Sequence, residues 1–231
     1  MKKRNESATA APAATELVFI LDKSGSMAGL EGDTIGGFNT LLREHKEKAG
    51  TCRLTTVLFD SSIHLLHDRI DIQAVRPLQE ADFQPGGCTA LYDAIGCGIH
   101  KIIDAQRQSA APFRARQVIF VIMTDGLENA SRRFSHDQIR LMIEREREGY
   151  GWEFLFLGAN IDAPGTAETL GIRREMAAEY LADSIGTQAS FRAMSETLES
   201  FRECGVVNTG CMEAIREDTR HRSRLPRRNH Q

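Results

Sequence analysis

Residues 17–21 read LVFIL, residues 117–124 read QVIFVIMT and residues 152–158 read WEFLFLG. Each is an apolar run of strand length, without the alternation of a strand that faces water on one side. Such strands are covered on both faces, as central strands of a parallel sheet are. Segments with helical spacing lie between them. Ile35, Phe38, Leu41 and Leu42 mark a helix over 33–48, closed by Gly50. Leu91, Ile95, Ile99 and Ile102 mark a second. A third spans 135–149, with Ser135 as N-cap and Ile139, Met142 and Ile143 as its buried side. A short helix is expected near 163–170. A last helix is expected at about 187–203, on Phe191, Met194, Leu198 and Phe201. Alternation of this kind predicts an α/β, doubly wound fold with helices on both faces of a mostly parallel central sheet.

One antiparallel edge strand completes the expected sheet. Residues 52–59, CRLTTVLF, and 63–68, IHLLHD, flank Asp60-Ser61-Ser62 as a hairpin. IDIQAV at 70–75 would add a short edge piece, and 176–182 a weak strand. On the third helix, Glu144–Arg147 and Arg145–Glu148 read as a solvated face.

A chain of 231 residues can bury a substantial core. Its net charge of −3 gives no electrostatic case for nucleic acid as a partner. No apolar run approaches the roughly 18–20 residues that cross a bilayer, so no membrane partner is expected. Residues 1–14 start with basic residues and continue with Ala, Thr and Pro, too weakly apolar for a signal sequence; they read as a disordered leader. The main domain is expected over 15–205 and a C-terminal extension over 206–231. The extension is arginine-rich and read as disordered from Thr219. The five cysteines, 52, 88, 97, 204 and 211, contain no C-x-x-C pair and suit the reduced thiols of a cytoplasmic protein. His64 and His67 fall on opposite faces of a strand and cannot share a ligand set.

Two of the apolar strands end on aspartate, at Asp22 and Asp125. In open α/β sheets, ligands sit at the carboxyl ends of the strands. Asp22, Ser24 and Ser26 leave the first strand with a period of two, so their side chains can share one side of the loop. Thr89 follows Gly86-Gly87 and can bring another hydroxyl to the same rim. Five oxygen-only groups from three loops make a site for a hard cation. Mg²⁺ suits it better than Ca²⁺, because Mg²⁺ needs few protein oxygens and keeps several waters. Asp60 reads as a hairpin-turn residue and Asp93 as a stabiliser of the first turn of its helix. Glu128 and Asn129 can border the binding face.

DKSGSM at 22–27, GGCTAL at 86–91 and TDG at 124–126 together resemble the three metal loops of von Willebrand factor A domains, over roughly residues 15–205. The chain is most similar to the compact single-domain bacterial members of that family. The resemblance implies a Rossmann-like fold with a metal-ion-dependent adhesion site. Ser24, Ser26 and Thr89 would bind Mg²⁺ (or Mn²⁺) directly, and Asp22 and Asp125 largely through water. It implies a non-enzymatic module that captures an Asp or Glu carboxylate of a partner protein, with a switch carried by the last helix. The competing class is a metal-dependent hydrolase or phosphatase using Asp22 and Asp125. Neither a G-x-x-x-x-G-K-[ST] loop nor a G-x-S-x-G elbow occurs to support it.

Overall fold

The computed structural model describes residues 14–223. The expected leader, but for Ala14, and the end of the tail, residues 224–231, lie outside the described residues. Six strands form one sheet in the order β3-β2-β1-β4-β5-β6. They are β1 (Thr15–Asp22), β2 (Cys52–Phe59), β3 (Ile63–Asp71), β4 (Gln117–Thr124), β5 (Glu153–Ala159) and β6 (Ala177–Tyr180). All pairings are parallel except β2 with β3. Every residue of β1 is buried, including Glu16. The Glu16 carboxylate receives Arg69 through two nitrogens, at 2.5 and 3.2 Å, and has Arg53 at 3.5 Å. A buried acid survives in a sheet on such terms, since an unpaired charge there is very costly.

The helices are α1 (Glu31–Lys46), α2 (Leu91–Gln108), α3 (His136–Tyr150), α4 (Ala163–Thr169), α5 (Ser184–Cys204) and α6 (Gly210–Ser223). The core gathers aromatic side chains on the sheet. Phe19 meets Phe38 of α1 edge-on at 5.3 Å, and Phe120 stacks with Phe154 at 4.9 Å and with Trp152 at 5.7 Å. Ser135 and Gln138 form a reciprocal capping box at the start of α3.

Several expectations are corrected. α1 stops at Lys46 with Glu47 as its C-cap, so Gly50 turns the chain into β2 and does not close the helix. β3 runs through to Asp71 and then winds into a 3₁₀ turn, so 70–75 adds no separate edge piece. On α3, Glu146 is buried, and Arg147 reaches the Gly171 carbonyl in place of pairing with Glu144. His67 is buried against Phe38 with Nδ1 3.0 Å from Thr56 Oγ1, whereas His64 is exposed.

The largest correction concerns the C-terminus. Residues 210–223 are helical, not disordered from Thr219, and α5 is therefore not the last helix. Cys211, Met212, Ile215 and Thr219 are the buried side of α6. That side lies along β6, the strand at the end of the sheet. The Arg216 guanidinium donates to the carbonyls of Arg174, Glu175 and Ala177, and Thr219 Oγ1 to that of Glu179. Arg222 pairs with Asp183 and Asp218. Arg222, from the segment read as disordered, thus joins Arg216 in docking the helix.

Candidate metal centre

From β1 the strands proceed outwards in two directions, so the switch of strand order lies between β1 and β4. Their register pairs Leu21 with Met123, which brings the strand ends at Asp22 and Thr124 together. Thr124 Oγ1 donates to Asp22 Oδ2 at 2.6 Å, and the Ser24 amide donates to Asp22 Oδ1 at 2.7 Å. Both oxygens of Asp22 are thus engaged, and the residue is 1% exposed.

Four of the five candidate ligands are joined by direct hydrogen bonds. Ser26 Oγ donates to Asp125 Oδ1 at 2.6 Å, and Ser24 Oγ lies 3.2 Å from Ser26 Oγ. The fifth, Thr89, arrives on the glycine loop. That loop is stitched to the Asp22 loop by two backbone bonds, Gly25 N–H to Gly87 C=O and Gly86 N–H to Lys23 C=O. Gly87 has φ +70°, and a Cβ there would stand 2.8 Å from Ser61 Oγ, so the turn requires glycine. The loop brings Thr89 Oγ1 to 3.4 Å from the point a Cβ on Gly126 would occupy, and Ser26 Oγ lies 3.8 Å from that point. Glycine at 126 keeps this space clear between the two hydroxyls. Ser26 is exposed while Asp22, Ser24, Thr89 and Asp125 are buried, so the cluster opens to solvent on the Ser26 side.

Two properties of this cluster bear on a cation. Asp125 Oδ2 is buried and, among the described residues, has no hydrogen-bond partner. Burial also raises both carboxyls above the ordinary range; for Asp125 the Asp22 charge adds to it, and for both the hydroxyl donors pull the other way. Two desolvated carboxylates with an unsatisfied oxygen between neutral hydroxyls fit a small hard dication, which would lower the cost of both charges. Among the described residues no three His, Cys, Asp or Glu side chains gather as a metal-holding group. A cation at this rim would accordingly rely on hydroxyl oxygens and water beside the two acids.

Asp60, Asn129, Glu128 and Asp93 support this rim. Asp60 Oδ1 accepts from the amide and hydroxyl of Ser62, as a turn residue does, and Asp60 also pairs with Lys23. Asn129 holds Thr89 on both sides, its Oδ1 accepting from the Thr89 amide at 2.8 Å and its own amide donating to the Thr89 carbonyl. Glu128 accepts from the amides of Tyr92, Ala130 and Ser131 and from the Ser131 hydroxyl. Asp93 does more than steady its own helix. Its carboxylate accepts from the amides of Arg132, Arg133 and Phe134 and ties the loop after β4 to α2. A carboxylate early in a helix was the available signal, but nothing in the sequence named those three amides.

No family model matches the sequence, and no curated protein sequence does either. Similarity to solved structures is extensive. The vWF domain of the type V pili tip protein Mfa5 from Porphyromonas gingivalis superposes with TM-score 0.59 at 11% identity, over 86% of this chain and 99% of that one. A von Willebrand factor type A structure from Catenulispora acidiphila gives TM-score 0.53 at 14% identity, over 82% and 43%. Proximal thread matrix protein 1 from the mussel byssus, with a zinc-occupied MIDAS motif, gives 0.56 at 14%, over 82% and 47%. The chain spans less than half the length of these last two.

Proposed function

With the fold of a von Willebrand factor A-type domain as premise, we propose that the rim of Asp22, Ser24, Ser26, Thr89 and Asp125 is a metal-dependent protein-binding site. The buried, unpartnered Asp125 Oδ2 carries this reading. Ser24, Ser26 and Thr89 would hold Mg²⁺, or Mn²⁺ in its place, through their hydroxyls, and Asp22 and Asp125 largely through water. The ion supplies electrophilic character at an open position, which favours a carboxylate of a partner protein. The zinc-occupied motif of the mussel protein supports a divalent ion in this fold. Leu127, exposed at 62% in the residue after Gly126, is available to an apolar neighbour of that carboxylate. The helix expected to carry a switch is α5, which packs on α1; a switch there belongs to the same proposal.

A hydrolytic role for Asp22 and Asp125 is disfavoured by the engagement of both Asp22 oxygens. Lys23, the base beside them, is committed to Asp60. A reducing compartment such as the cytoplasm belongs to the same proposal, on the five cysteines without a C-x-x-C pair. The reading is tested by capturing partners in Mg²⁺, in chelator and with Asp22→Asn. Proteins lost in both controls support it. Mg²⁺-dependent phosphate-ester hydrolysis that vanishes in Asp22→Asn while capture persists overturns it.

A further inference from the structure

A second recess lies at the other end of the sheet. It is walled by the C-terminal part of α2, the segment before β4, the end of α3 and the residue before β5. Its volume is about 360 Å³, within the range of small-molecule sites, which run from about 300 to 1,000 Å³. β4 separates it from Asp125, so the two sites are roughly 25 Å apart at about 3.3 Å per strand residue.

Four arginines line this recess: Arg107, Arg114, Arg116 and Arg145. Arg145 stands 3.6 Å from Glu146. Among the described residues, Arg107, Arg114 and Arg116 have no carboxylate within ion-pair distance. In a chain of net charge −3, four guanidiniums and one carboxylate around one cavity make a local positive field. The wall that carries two of them is built and not loosely draped. Gln106 Nε2 donates to the Ala115 carbonyl at 2.9 Å, and the Ala115 amide donates to Gln106 Oε1 at 3.1 Å. Arg114 Nε donates to the Ser109 carbonyl at 3.0 Å.

The recess also holds a single acid. Glu146 is 2% exposed, and Arg145 is its ion-pair partner at 3.6 Å. Burial raises it above the ordinary carboxyl range, with the charges of Arg145 and Arg107 opposing. Its two carboxylate oxygens can accept a donor pair from a ligand. Aromatic surface completes the lining. Trp152 is 5% exposed with one face on Phe120, and Tyr150 is exposed. Guanidinium forks suit phosphate oxygens, and an exposed aromatic ring suits stacking by a base. Of the common bases, guanine offers two adjacent N–H donors that match the two oxygens of a carboxylate.

We propose that this recess binds a guanine nucleotide, with its phosphates on Arg107, Arg114 and Arg116, its base beside Tyr150, and the N–H edge of the base on Glu146. It is independent of the metal rim, and the test keeps the two apart. The thermal midpoint of the full chain is followed in EDTA with GTP, ATP and pyrophosphate in turn. GTP is expected to raise the midpoint with an affinity at least tenfold tighter than ATP or pyrophosphate. Arg107→Ala with Arg116→Ala should weaken GTP at least tenfold, and Glu146→Gln should erase the preference for GTP over ATP while leaving the pyrophosphate response. These are exposed arginines and an isosteric change, and circular dichroism of each variant verifies folding. Absence of any GTP response, a pyrophosphate response equal to that of GTP, equal affinities for GTP and ATP, or undiminished GTP affinity in the double arginine variant would each overturn the assignment.

Discussion

Ser26 Oγ donates to Asp125 Oδ1 at 2.6 Å, across 99 residues of sequence. The bond joins the loop after β1 to the loop after β4 at the solvent side of the rim. It occupies one oxygen of Asp125 and leaves the other, Oδ2, without a partner.

Mg²⁺ or Mn²⁺ is therefore expected to raise the thermal midpoint. A ligand that binds only the native state at 100 times its dissociation constant stabilises by about 2.7 kcal/mol. Asp22→Asn and Ser26→Ala should each reduce the response, measured by calorimetry with and without chelator. A response equal to wild type in both variants would place the ion elsewhere.

Asp93→Ala should destabilise by about 1–3 kcal/mol, because three loop amides lose their acceptor. Loosening this loop also frees Asn129 and hence Thr89. Apparent Mg²⁺ affinity should fall with stability, although Asp93 is not among the candidate ligands. Titration calorimetry on folded variant checks the second effect.

His45 sets an acid limit on stability. It is fully buried, its Nδ1 receives Arg202 at 3.2 Å and its Nε2 lies 3.2 Å from the Ser195 carbonyl. An Nδ1 that accepts from a guanidinium leaves the proton on Nε2, so the ring is neutral. Burial, and then the Arg202 charge, lower its pKa from 6.5 to about 4. Above pH 6.5 the folded and unfolded states are both neutral at this residue. As pH falls from 6.5 to about 4, the unfolded chain takes up a proton that the folded one refuses. Stability should then drop by about 3 kcal/mol over that window. Urea unfolding between pH 7 and 4 should show the slope, and His45→Gln should flatten it.

Gly37 faces the Phe191 ring across the contact of α1 with α5, and a Cβ there would stand 2.6 Å from Phe191 Cγ. Gly37→Ala should cost about 1–3 kcal/mol by overpacking, and Phe191→Ala about 3–5 kcal/mol by cavity formation. In the double variant the added methyl enters the space the ring vacated. The two costs should fall short of additivity by at least 0.5 kcal/mol in a double-mutant cycle of denaturation midpoints.

Removal of residues 210–231 should be destructive, because α6 covers the outer side of β6. The truncated chain is expected to lose several degrees of midpoint and to associate through the bared strand. Sedimentation of the shortened chain as a monomer with an unchanged midpoint would contradict this.

What could be read from the sequence, and what could not, divides by range of interaction. The continuous apolar runs needed no partner to be recognised, since burial on both faces leaves a local mark. Asp22 and Asp125 were conspicuous as charges closing such runs. α6 was hidden because Arg220, Arg222 and their neighbours dominate its composition. The spacing of Cys211, Met212, Ile215 and Thr219 was nonetheless helical. Glu146 stands in the unbroken charged run 144–148, beside the pairs that read as a solvated face, and only the packing of α3 shows it turned inwards. The pairing of Glu16 with Arg69 joins β1 to β3 across 53 residues, and no local pattern carries such a contact.

The central place of β1 has a consequence for how the protein comes into being. β1 is made well before β4, and one of its edges stays unpaired until β4 has been synthesised; Asp22 meets Thr124 across 102 residues. At about 5–20 residues per second, the wait on a translating ribosome is on the order of 5–20 s. Throughout it, a strand buried on every side in the finished protein has only β2 beside it. The proposed cation rim is incomplete for the same interval, because Asp125 has not been translated. On the proposed reading, metal could be acquired only after β4 has joined β1, while β5 and β6 are still to be made.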